Sequence, residues 1–486
     1  MTFTQSQGKA QGLFGYLAFC TFIFLLVLYY AINHTWEYDE AWTWLSVKNE
    51  SFTDLLLYRH FNIANNHLLN SLWFKALQLA GVKQALLYRS LSLLSYFAYA
   101  AFLYKALGYG ETTHSRPSVL LLSLFFFPPV VLFFAAGRGY ALSMACLVGA
   151  FYYLKVFINE KKASAYCLFF ILGLIASLSI VSFFYPFVAM LIYVYVRRSE
   201  KIFTLQGLIS AVILLALTGY IYYIGKTIIL HDKIINGTGN LLVNGMYSSF
   251  ISFLGVNNLF PFPAFYDRFN LLLVTKLIIL VTFLPAIWVL LRKYLTRAPE
   301  LMVLVMVTVI ALCAHLILKA MYPSDRSVIY LLYLIYGPMA IAIVATRNKY
   351  LQIHYYIVLV FAVINMIGYF YVLTKAELYK TLAQTTTGQH TIISDWPNWA
   401  DDLENELYFD HRFHFEYIAQ SFEKDLPLVD EKIKAAVADP NTDLLLLQKS
   451  SYKRNLSLFT DDFIVQPVMS SGAKELFLIK KRTAPH

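Results

Sequence analysis

Long apolar runs separated by short polar segments dominate the first three quarters of the chain. A helix needs about 20 apolar residues to cross a bilayer, and eleven segments approach that length. The predicted spans are 13–32, 86–107, 118–135, 139–157, 165–181, 186–197, 202–224, 271–291, 300–319, 327–346 and 351–374. The pattern therefore predicts an α-helical polytopic membrane protein, in which the short pair 165–181 and 186–197 forms a hairpin broken at Tyr185-Pro186.

Segment 65–80 has a different pattern from the predicted spans. Its leucines and Trp73 recur at helical spacing, whereas its polar residues fall largely on another face. The polar positions are His67, Asn70, Lys75 and Gln78. This pattern is typical of an amphipathic helix at the membrane surface rather than of a span.

The basic residues between the spans set the predicted orientation. If 65–80 does not cross, most basic clusters fall on one side, which the positive-inside bias makes cytoplasmic. These clusters are Lys105/Arg116, Lys155/Lys161/Lys162, Arg197/Arg198/Lys201, Arg292/Lys293/Arg297 and Arg347/Lys349. The N-terminus then lies inside. The predicted outer regions are the loops 33–85 and 225–270, the turns around Arg138 and 322–326, and everything after 375.

The chain changes character after residue 375. Residues 376–486 carry many charges and alternate predicted strands and helices. We predict strands at 391–394 and 443–447, helices at 399–407 and 426–438, and a hairpin formed by 463–469 and 475–479. The sequence thus predicts a membrane module, 1–375, followed by a small extracytoplasmic α/β domain, 376–486.

Composition supports the membrane class and excludes other classes. Hydrophobic residues make up 59% of the chain and charged residues 14%, whereas soluble domains are about 25% charged. The formal net charge is +10, but the basic residues are dispersed between apolar runs, which does not predict nucleic-acid binding. Cys20, Cys146, Cys167 and Cys313 all lie in apolar runs, so neither a disulfide framework nor a cysteine zinc site is predicted.

An acidic cluster follows the first predicted span. Glu37, Asp39 and Glu40 lie within four residues, among tryptophans and tyrosines. An interfacial belt explains the aromatic residues but not the three carboxylates. A carboxylate at this surface can act as a general base on an acceptor. Asp39 and Glu40 are the candidate catalytic residues, and Asp39 is the only candidate ligand for a metal ion.

Polar and cationic residues recur in the other predicted outer segments. Asn66 and His67 open segment 65–80, where helix capping is the simpler interpretation. Arg138 precedes Tyr140 in a turn between two spans, where snorkelling is the alternative. Arg326 lies near Lys319, and an interaction with Asp325 is the alternative there. Arginine also binds phosphate through two parallel hydrogen bonds, and ionisable groups at membrane depth usually mark function.

These groups together predict one kind of chemistry. The cations Arg326, Arg138 and Lys319 suit a phosphorylated lipid leaving group, and Asn66, His67, Tyr140 and Glu37 would line the donor or acceptor pocket. A carboxylate suits deprotonation of an acceptor hydroxyl or amine. The prediction is sugar transfer from a polyprenyl-phosphate donor on the outer membrane face, in one inverting displacement.

The motifs around Asp39, His67, Arg138 and Arg326, in their order along the chain, resemble those of membrane glycosyltransferases of the GT-C fold. The resemblance is greatest to protein O-mannosyltransferases and the bacterial lipid A aminoarabinose transferase. Asp39-Glu40 matches the acidic pair after the first span. Asn66-His67 with Trp73 is similar to the H-P-P-L or E-K-P helix start, and residues 138–142 match an R-x-Y-A-L pattern. Arg326 is similar to the late arginine that contacts the donor phosphate. The resemblance covers about 13–345.

The resemblance implies that Asp39 is the essential carboxylate and that Arg326 and Arg138 contact the donor phosphate. It also implies a multi-pass protein of the bacterial inner membrane with an outward active site. The implied partners are a polyprenyl-phosphate-linked sugar, membrane lipid, and an acceptor glycan, lipid or protein. Two departures concern His67, which is followed by leucines rather than prolines, and Ala136, which occupies a position where relatives often have Glu. The residues identify no definite cofactor, and a divalent cation stays an open alternative.

Two other functions remain open at this point. A lipid or solute transporter, or a flippase, would also explain the spans and their charges, although inverted repeats are not evident. An O-antigen polymerase or ligase would concentrate cations in a late outer loop. Loop 225–270 contains Lys226, His231, Lys233 and Arg268, so this enzyme class stays an alternative.

Overall fold

A computed structural model describes most of the chain, and its contacts divide the chain into two compact units. The described residues are 2–33, 36, 38–60, 66–108, 118–198, 204–230, 237–238, 246–254, 271–318, 320–323, 325–373, 390–395, 413–418, 426–439, 442, 444–469 and 475–482. The first unit comprises Met1–Ile32 and Glu50–Tyr371, and the second comprises Asn33–Asn49 and Val372–His486. Residues 33–49 are thus grouped with the C-terminal residues.

The first 373 residues are almost entirely helical where they are described. In chain order, the α-helices are Thr2–Asn33 (α1), Tyr38–Lys48 (α2), Phe52–Leu56 (α3), Leu68–Leu79 (α4), Ala85–Tyr88 (α5), Ser90–Gly108 (α6), Val119–Ser123 (α7), Pro128–Ala135 (α8), Tyr140–Glu160 (α9), Ala163–Ser179 (α10), Phe184–Arg197 (α11), Leu205–Leu230 (α12), Met246–Leu254 (α13), Leu271–Tyr294 (α14), Pro299–Leu318 (α15), Tyr330–Thr346 (α16) and Lys349–Leu373 (α17). Short 3-10 turns lie at Leu124–Phe126, Val181–Phe183 and Asp325–Val328. A two-stranded antiparallel sheet pairs Gly237–Thr238 (β1) with Tyr322–Pro323 (β2).

The predicted polytopic membrane class is confirmed. Within the described ranges, 8 helices are long and apolar enough to cross a membrane. They are Leu13–Asn33, Ser90–Gly108, Tyr140–Glu160, Leu205–Thr227, Leu273–Tyr294, Pro299–Leu318, Arg326–Thr346 and Lys349–Met366, and each coincides with a predicted span. Two shorter apolar helical segments, Ala163–Ser179 and Val181–Arg197, occupy the predicted hairpin. The break lies at 180–183 rather than at Tyr185-Pro186, because proline is accommodated in the first turn of α11.

The predicted span 118–135 is not one continuous helix. It is divided into α7, the 3-10 turn Leu124–Phe126 and α8. The division occurs at Pro128 and Pro129, because proline cannot donate a helical hydrogen bond and is best accommodated in the first turn of a new helix. With 5 and 8 residues, neither α7 nor α8 can cross a membrane alone. The predicted count of eleven continuous spans is therefore not reproduced.

Several basic side chains meet at one end of the first unit. Lys155 Nζ lies 2.6 Å from Glu300 Oε1 and also donates to the Ala106 carbonyl at 3.0 Å. Tyr333 Oη donates to the same Glu300 oxygen at 3.2 Å. Arg197 reaches the Thr296 carbonyl in the loop between α14 and α15, at 3.1 Å. Residues of three of the basic clusters that the sequence predicts to be cytoplasmic therefore lie at this end.

Segment 65–80 forms α4, whose buried face carries much of its polar content. With 12 residues, α4 is about 18 Å long and is too short to cross the hydrocarbon core. Asn70, Ser71 and Lys75 are buried, whereas Leu79 is 67% exposed. The helix thus directs polar side chains into the protein and an apolar side chain outward, which is compatible with a location beside the apolar part of a membrane.

The C-terminal part of the second unit is a small α/β domain, as predicted. Its strands are His390–Ser394 (β3), Phe413–Tyr417 (β4), Leu444–Gln448 (β5), Phe463–Met469 (β6) and Glu475–Lys481 (β7), and its α-helices are Leu426–Ala438 (α18) and Lys449–Arg454 (α19). The strand order is β4-β3-β5-β7-β6. Strand β3 is parallel to β4 and β5, whereas β7 is antiparallel to β5 and β6. A 3-10 turn at Leu456–Leu458 precedes β6.

Strand β5 explains how this sheet is covered on both faces. Leu444 and Leu446 pack with Ile392 and Leu478, whereas Leu445 and Leu447 pack with residues of α18 such as Ile433. Successive side chains in a strand point to opposite faces, so a run of four leucines places apolar surface on both. The predicted strands, the hairpin and helix 426–438 are found, and the predicted helix 399–407 lies outside the described residues.

Candidate functional site

The start of α4 packs against the turn between α8 and α9. Asn70 Nδ2 donates to the Gly137 carbonyl at 2.5 Å, and the His67 ring meets the Tyr140 ring edge-on at 5.1 Å between centroids. Asn66 and His67 are only 3% and 8% exposed. His67 occupies the N-cap position of α4 without a side-chain capping bond, so capping does not explain its role. The candidate pocket residues Asn66, His67 and Tyr140 lie together.

Arg138 lies in the same turn, against an aromatic wall. Its guanidinium carbon is 5.3 Å from the centroid of Tyr140, and Tyr140 stacks on Phe133 at 4.5 Å. Arg138 is 6% exposed, and a cation over an aromatic face in such surroundings gains about 1–2 kcal/mol. Ser92 Oγ donates to the Arg138 carbonyl at 3.2 Å. The turn thus holds a guanidinium in a defined position at the start of α9.

Gly139 allows this turn to approach the C-terminal end of α10. A Cβ atom at Gly139 would lie 2.7 Å from the Ser179 carbonyl oxygen and 3.0 Å from His67 Cβ. Ser179 Oγ donates to the Gly139 carbonyl at 2.9 Å. Backbone, rather than a flexible side chain, forms the closest contact, so a larger residue must displace the turn.

The variant Gly139→Ala should therefore reduce both activity and stability. We expect a loss of about 1–3 kcal/mol in the free energy of unfolding, as for other overpacked positions, and weaker binding of any ligand held by Arg138. Thermal unfolding in detergent and a ligand titration measure the two effects. Gly219→Ala is the matched control, because its added Cβ meets nothing within 4 Å and alanine favours a helix. Equal behaviour of the two variants would contradict the packing argument.

Arg326 lies at the same end of the unit as Arg138. The turn Val181–Phe183 begins two residues after Ser179, and Ser182 Oγ donates to the Ser327 carbonyl at 2.8 Å. Phe183 meets Tyr330 edge-on at 5.5 Å. Arg326 is exposed, in the 3-10 turn Asp325–Val328. The contacts through Ser179 and Ser182 therefore connect the turns that carry the two arginines.

This end is opposite the end that carries the basic clusters. Arg138 precedes the first residue of α9, whereas Lys155 lies near its last residue. The 21 residues of α9 correspond to about 31 Å. Arg138 is thus separated from Lys155 by most of a helix long enough to cross a membrane.

The candidate catalytic acids lie in the second unit. Asp39 and Glu40 occupy the first turn of α2, where the positive end of the helix dipole stabilises carboxylates. Glu40 is 0% exposed and Asp39 is half-buried. The Asp39 carbonyl accepts a hydrogen bond from Thr43 Oγ1 at 2.8 Å. Glu37 and Lys319, also predicted as site residues, lie outside the described residues.

Arg89 is an additional buried arginine, which the sequence analysis did not select. It is 0% exposed and donates from Nη1 to the Ala31 carbonyl at 2.8 Å. Ala31 lies in the last turn of α1, where a cation satisfies helix-terminal carbonyls. The sequence could have indicated Arg89 through its location inside the apolar segment 86–107, since a charged residue at membrane depth usually has a role. Asn70, Ser92, Ser179 and Ser182 were also missed, because their contacts join distant segments.

Comparison with solved structures gives distant similarities, one of which covers nearly the whole chain. The fold is similar to that of the crystal structure of ArnT from Cupriavidus metallidurans in the apo state, with a TM-score of 0.41 and 12% sequence identity, over 98% of this chain and 100% of that chain. No family model and no curated protein matches the sequence. A similarity of this degree supplies no argument about chemistry, so the residues described above must carry any functional proposal.

Proposed function

We propose that this protein is a membrane glycosyltransferase that moves a sugar from a polyprenyl-phosphate carrier to an acceptor hydroxyl or amine. The observation that carries the proposal is the grouping of Arg138, His67 and Tyr140 at the end of the helices that also bears Arg326. Cations, aromatic rings and amide groups together suit a phosphorylated sugar next to an apolar carrier chain.

Arg138 and Arg326 would bind the donor phosphate in different ways. Arg138 is buried and held over Tyr140, so little conformational entropy is lost when it binds an anion. Arg326 is exposed, so it can meet a headgroup arriving from the membrane surface. Two guanidinium groups would stabilise the negative charge that the leaving phosphate gains during transfer.

Asp39 would supply the base for the acceptor. Its carboxylate takes the proton of the acceptor hydroxyl or amine, and the acceptor atom attacks the anomeric carbon of the sugar. The bond from that carbon to the phosphate oxygen breaks, and its electron pair leaves with the polyprenyl phosphate. A single displacement of this kind inverts the anomeric configuration. The role of Asp39 follows from its position after α1 and from the resemblance of Asp39-Glu40 to the acidic pair of GT-C enzymes.

The phosphate role can be tested by comparing a polyprenyl phosphate with the corresponding polyprenol. Arg138→Gln and Arg326→Ala should each weaken binding of the phosphate by about 10- to 100-fold, the equivalent of one charge-assisted contact. Neither substitution should change binding of the polyprenol, because the lost interaction is with the phosphate. Titration of the protein in lipid nanodiscs measures both affinities.

Arg292→Ala is the matched control for Arg326→Ala. Arg292 is also exposed, but it lies in the last turn of α14, among the clusters predicted to be cytoplasmic. Its removal should leave the phosphate affinity unchanged. Equal losses in all variants, or no loss in any, would overturn the assigned phosphate site. Movement of the intact carrier across the bilayer without sugar transfer would favour a flippase instead.

A further inference from the structure

Three potential metal ligands meet on the loop around α3, apart from the candidate catalytic residues. Within the part of the chain that the structure describes, Glu50, Asp54 and His60 form a group whose ligand atoms all lie within 4.8 Å of one another. His60 Nδ1 is 3.0 Å from Glu50 Oε2. Glu50 and Asp54 are half-buried and His60 is exposed. The group does not include Asp39.

The backbone brings these three side chains together by a tight turn. Helix α3 ends at Leu56, and Tyr58 adopts a left-handed conformation with φ of 50°, which is uncommon for a residue other than glycine. The Arg59 amide then donates to the Asp54 carbonyl at 3.1 Å. The chain thus reverses over α3, and His60 returns to Glu50 at the start of the loop.

The loop is fixed to neighbouring helices, so the ligands have a defined position. Tyr58 Oη donates to the Asn66 carbonyl at 2.6 Å, and the Tyr58 ring packs with Leu68 and Ile224. Tyr220 and Tyr223 of α12 donate to the carbonyls of Leu56 and Leu57 at 2.6 and 3.0 Å. These contacts attach the loop to both α4 and α12. A metal site needs such support, because its ligands must be held close to the required geometry.

The ligand atoms pair with one another and with nearby groups. Asp54 Oδ1 accepts from Arg59 Nη1 at 3.1 Å, and Asp54 Oδ2 accepts from Ser51 Oγ at 2.5 Å. Arg59 would therefore compete with a bound metal ion for Asp54 Oδ1.

We propose that Glu50, Asp54 and His60 form a structural site for a divalent transition metal ion, with zinc as the expected ion. One imidazole nitrogen and two carboxylate oxygens are a ligand set that zinc accepts, with water as the fourth ligand. Imidazole is a poor ligand for magnesium and calcium, which prefer oxygen alone. The bound ion would close loop 50–60 across α3 and so stabilise the loop whose Tyr58 contacts the start of α4. This role is independent of the proposed sugar transfer.

Zinc titration of the chelator-treated full-length protein in detergent tests this site. We expect about one zinc ion per chain, retained through gel filtration, and a higher unfolding temperature when zinc is present, because the ion binds the folded state. His60→Gln and Glu50→Gln should each lower the zinc affinity more than about 10-fold, since even residues that only support ligands are worth that much. Arg59→Gln should raise the affinity, because it frees Asp54 from a competing cation.

His414→Gln provides the matched control. His414 is another exposed histidine beside a carboxylate, with Nε2 3.7 Å from Glu416 Oε1, but the group of three ligands does not include it. Its substitution should leave zinc binding unchanged. Equal zinc binding by wild type and His60→Gln would show adventitious binding only and overturn the proposal. Magnesium binding as tight as zinc binding, or weaker zinc binding by Arg59→Gln, would also overturn it.

Discussion

Replacing Asp39 by Asn should abolish sugar transfer while leaving the protein folded. The amide of asparagine has the size of the carboxylate but cannot take the proton of the acceptor hydroxyl or amine. A positioned base contributes about 10²- to 10⁴-fold to a rate. We expect the turnover number to decrease by a factor in this range and the donor affinity to change little. Transfer of a labelled sugar from a polyprenyl-phosphate donor measures the first quantity, and a titration with the unreactive polyprenyl phosphate measures the second.

Two further variants separate a base from a structural carboxylate. Asp39→Glu retains the base at a shifted position and should have activity between wild type and Asp39→Asn. Glu431→Gln removes an exposed carboxylate from α18 in the same unit and should leave turnover unchanged. Near-normal turnover of Asp39→Asn would refute the assigned base. Loss of donor binding equal to the loss of turnover would indicate that Asp39 acts on the donor instead.

Replacing Lys155 by Met should destabilise the protein strongly without a direct effect on the candidate site. Lys155 and Glu300 are 8% and 1% exposed, and their charged atoms are 2.6 Å apart. Removing one partner of a buried ion pair leaves an uncompensated charge and typically costs about 3–5 kcal/mol. The pair joins α9 to α15, so we expect the free energy of unfolding to fall by that amount. Denaturation in detergent micelles measures it.

The double variant Lys155→Met/Glu300→Leu should be more stable than Lys155→Met alone. Replacement of a buried ion pair by apolar residues is often close to neutral, because both desolvation costs disappear together. Tyr333 Oη would lose its acceptor on Glu300, so some loss relative to wild type should remain, about 1–3 kcal/mol for an unsatisfied buried group. If the two substitutions were additive in a double-mutant cycle, the pair would not be coupled.

The membrane segments were predictable because their signal is local. A run of about 20 apolar residues must form a helix in a bilayer, since no water can satisfy an open backbone there. The segment 118–135 failed this rule at Pro128 and Pro129, where a continuous apolar run contains a helix break. Strand β4 was missed for a different reason. Its exposed residues His414 and Glu416 weaken the apolar signal of an edge strand, although its pairing with β3 is complete.

The candidate site was only partly predictable, because its contacts join distant parts of the sequence. Arg138, His67 and Tyr140 were selected as polar or charged residues at predicted outer boundaries. Their mutual contacts depend on Asn70 reaching Gly137 and on Ser179 reaching Gly139. No periodic pattern encodes such pairs, and a serine in an apolar helix gives no sign of its partner.

The sequence by itself determined the polytopic membrane class and the C-terminal α/β domain, whereas the orientation drawn from its basic clusters stays a prediction. These properties follow from hydrophobic length, charge distribution and alternation, which act within each segment. Only the tertiary structure decided that Asn70, Ser71 and Lys75 of α4 are buried and that Arg89 binds a carbonyl in the last turn of α1. It also decided that the side chains of Glu50, Asp54 and His60 lie close together. Those outcomes depend on packing between segments far apart in the chain, where close approach and hydrogen-bond geometry select the partners.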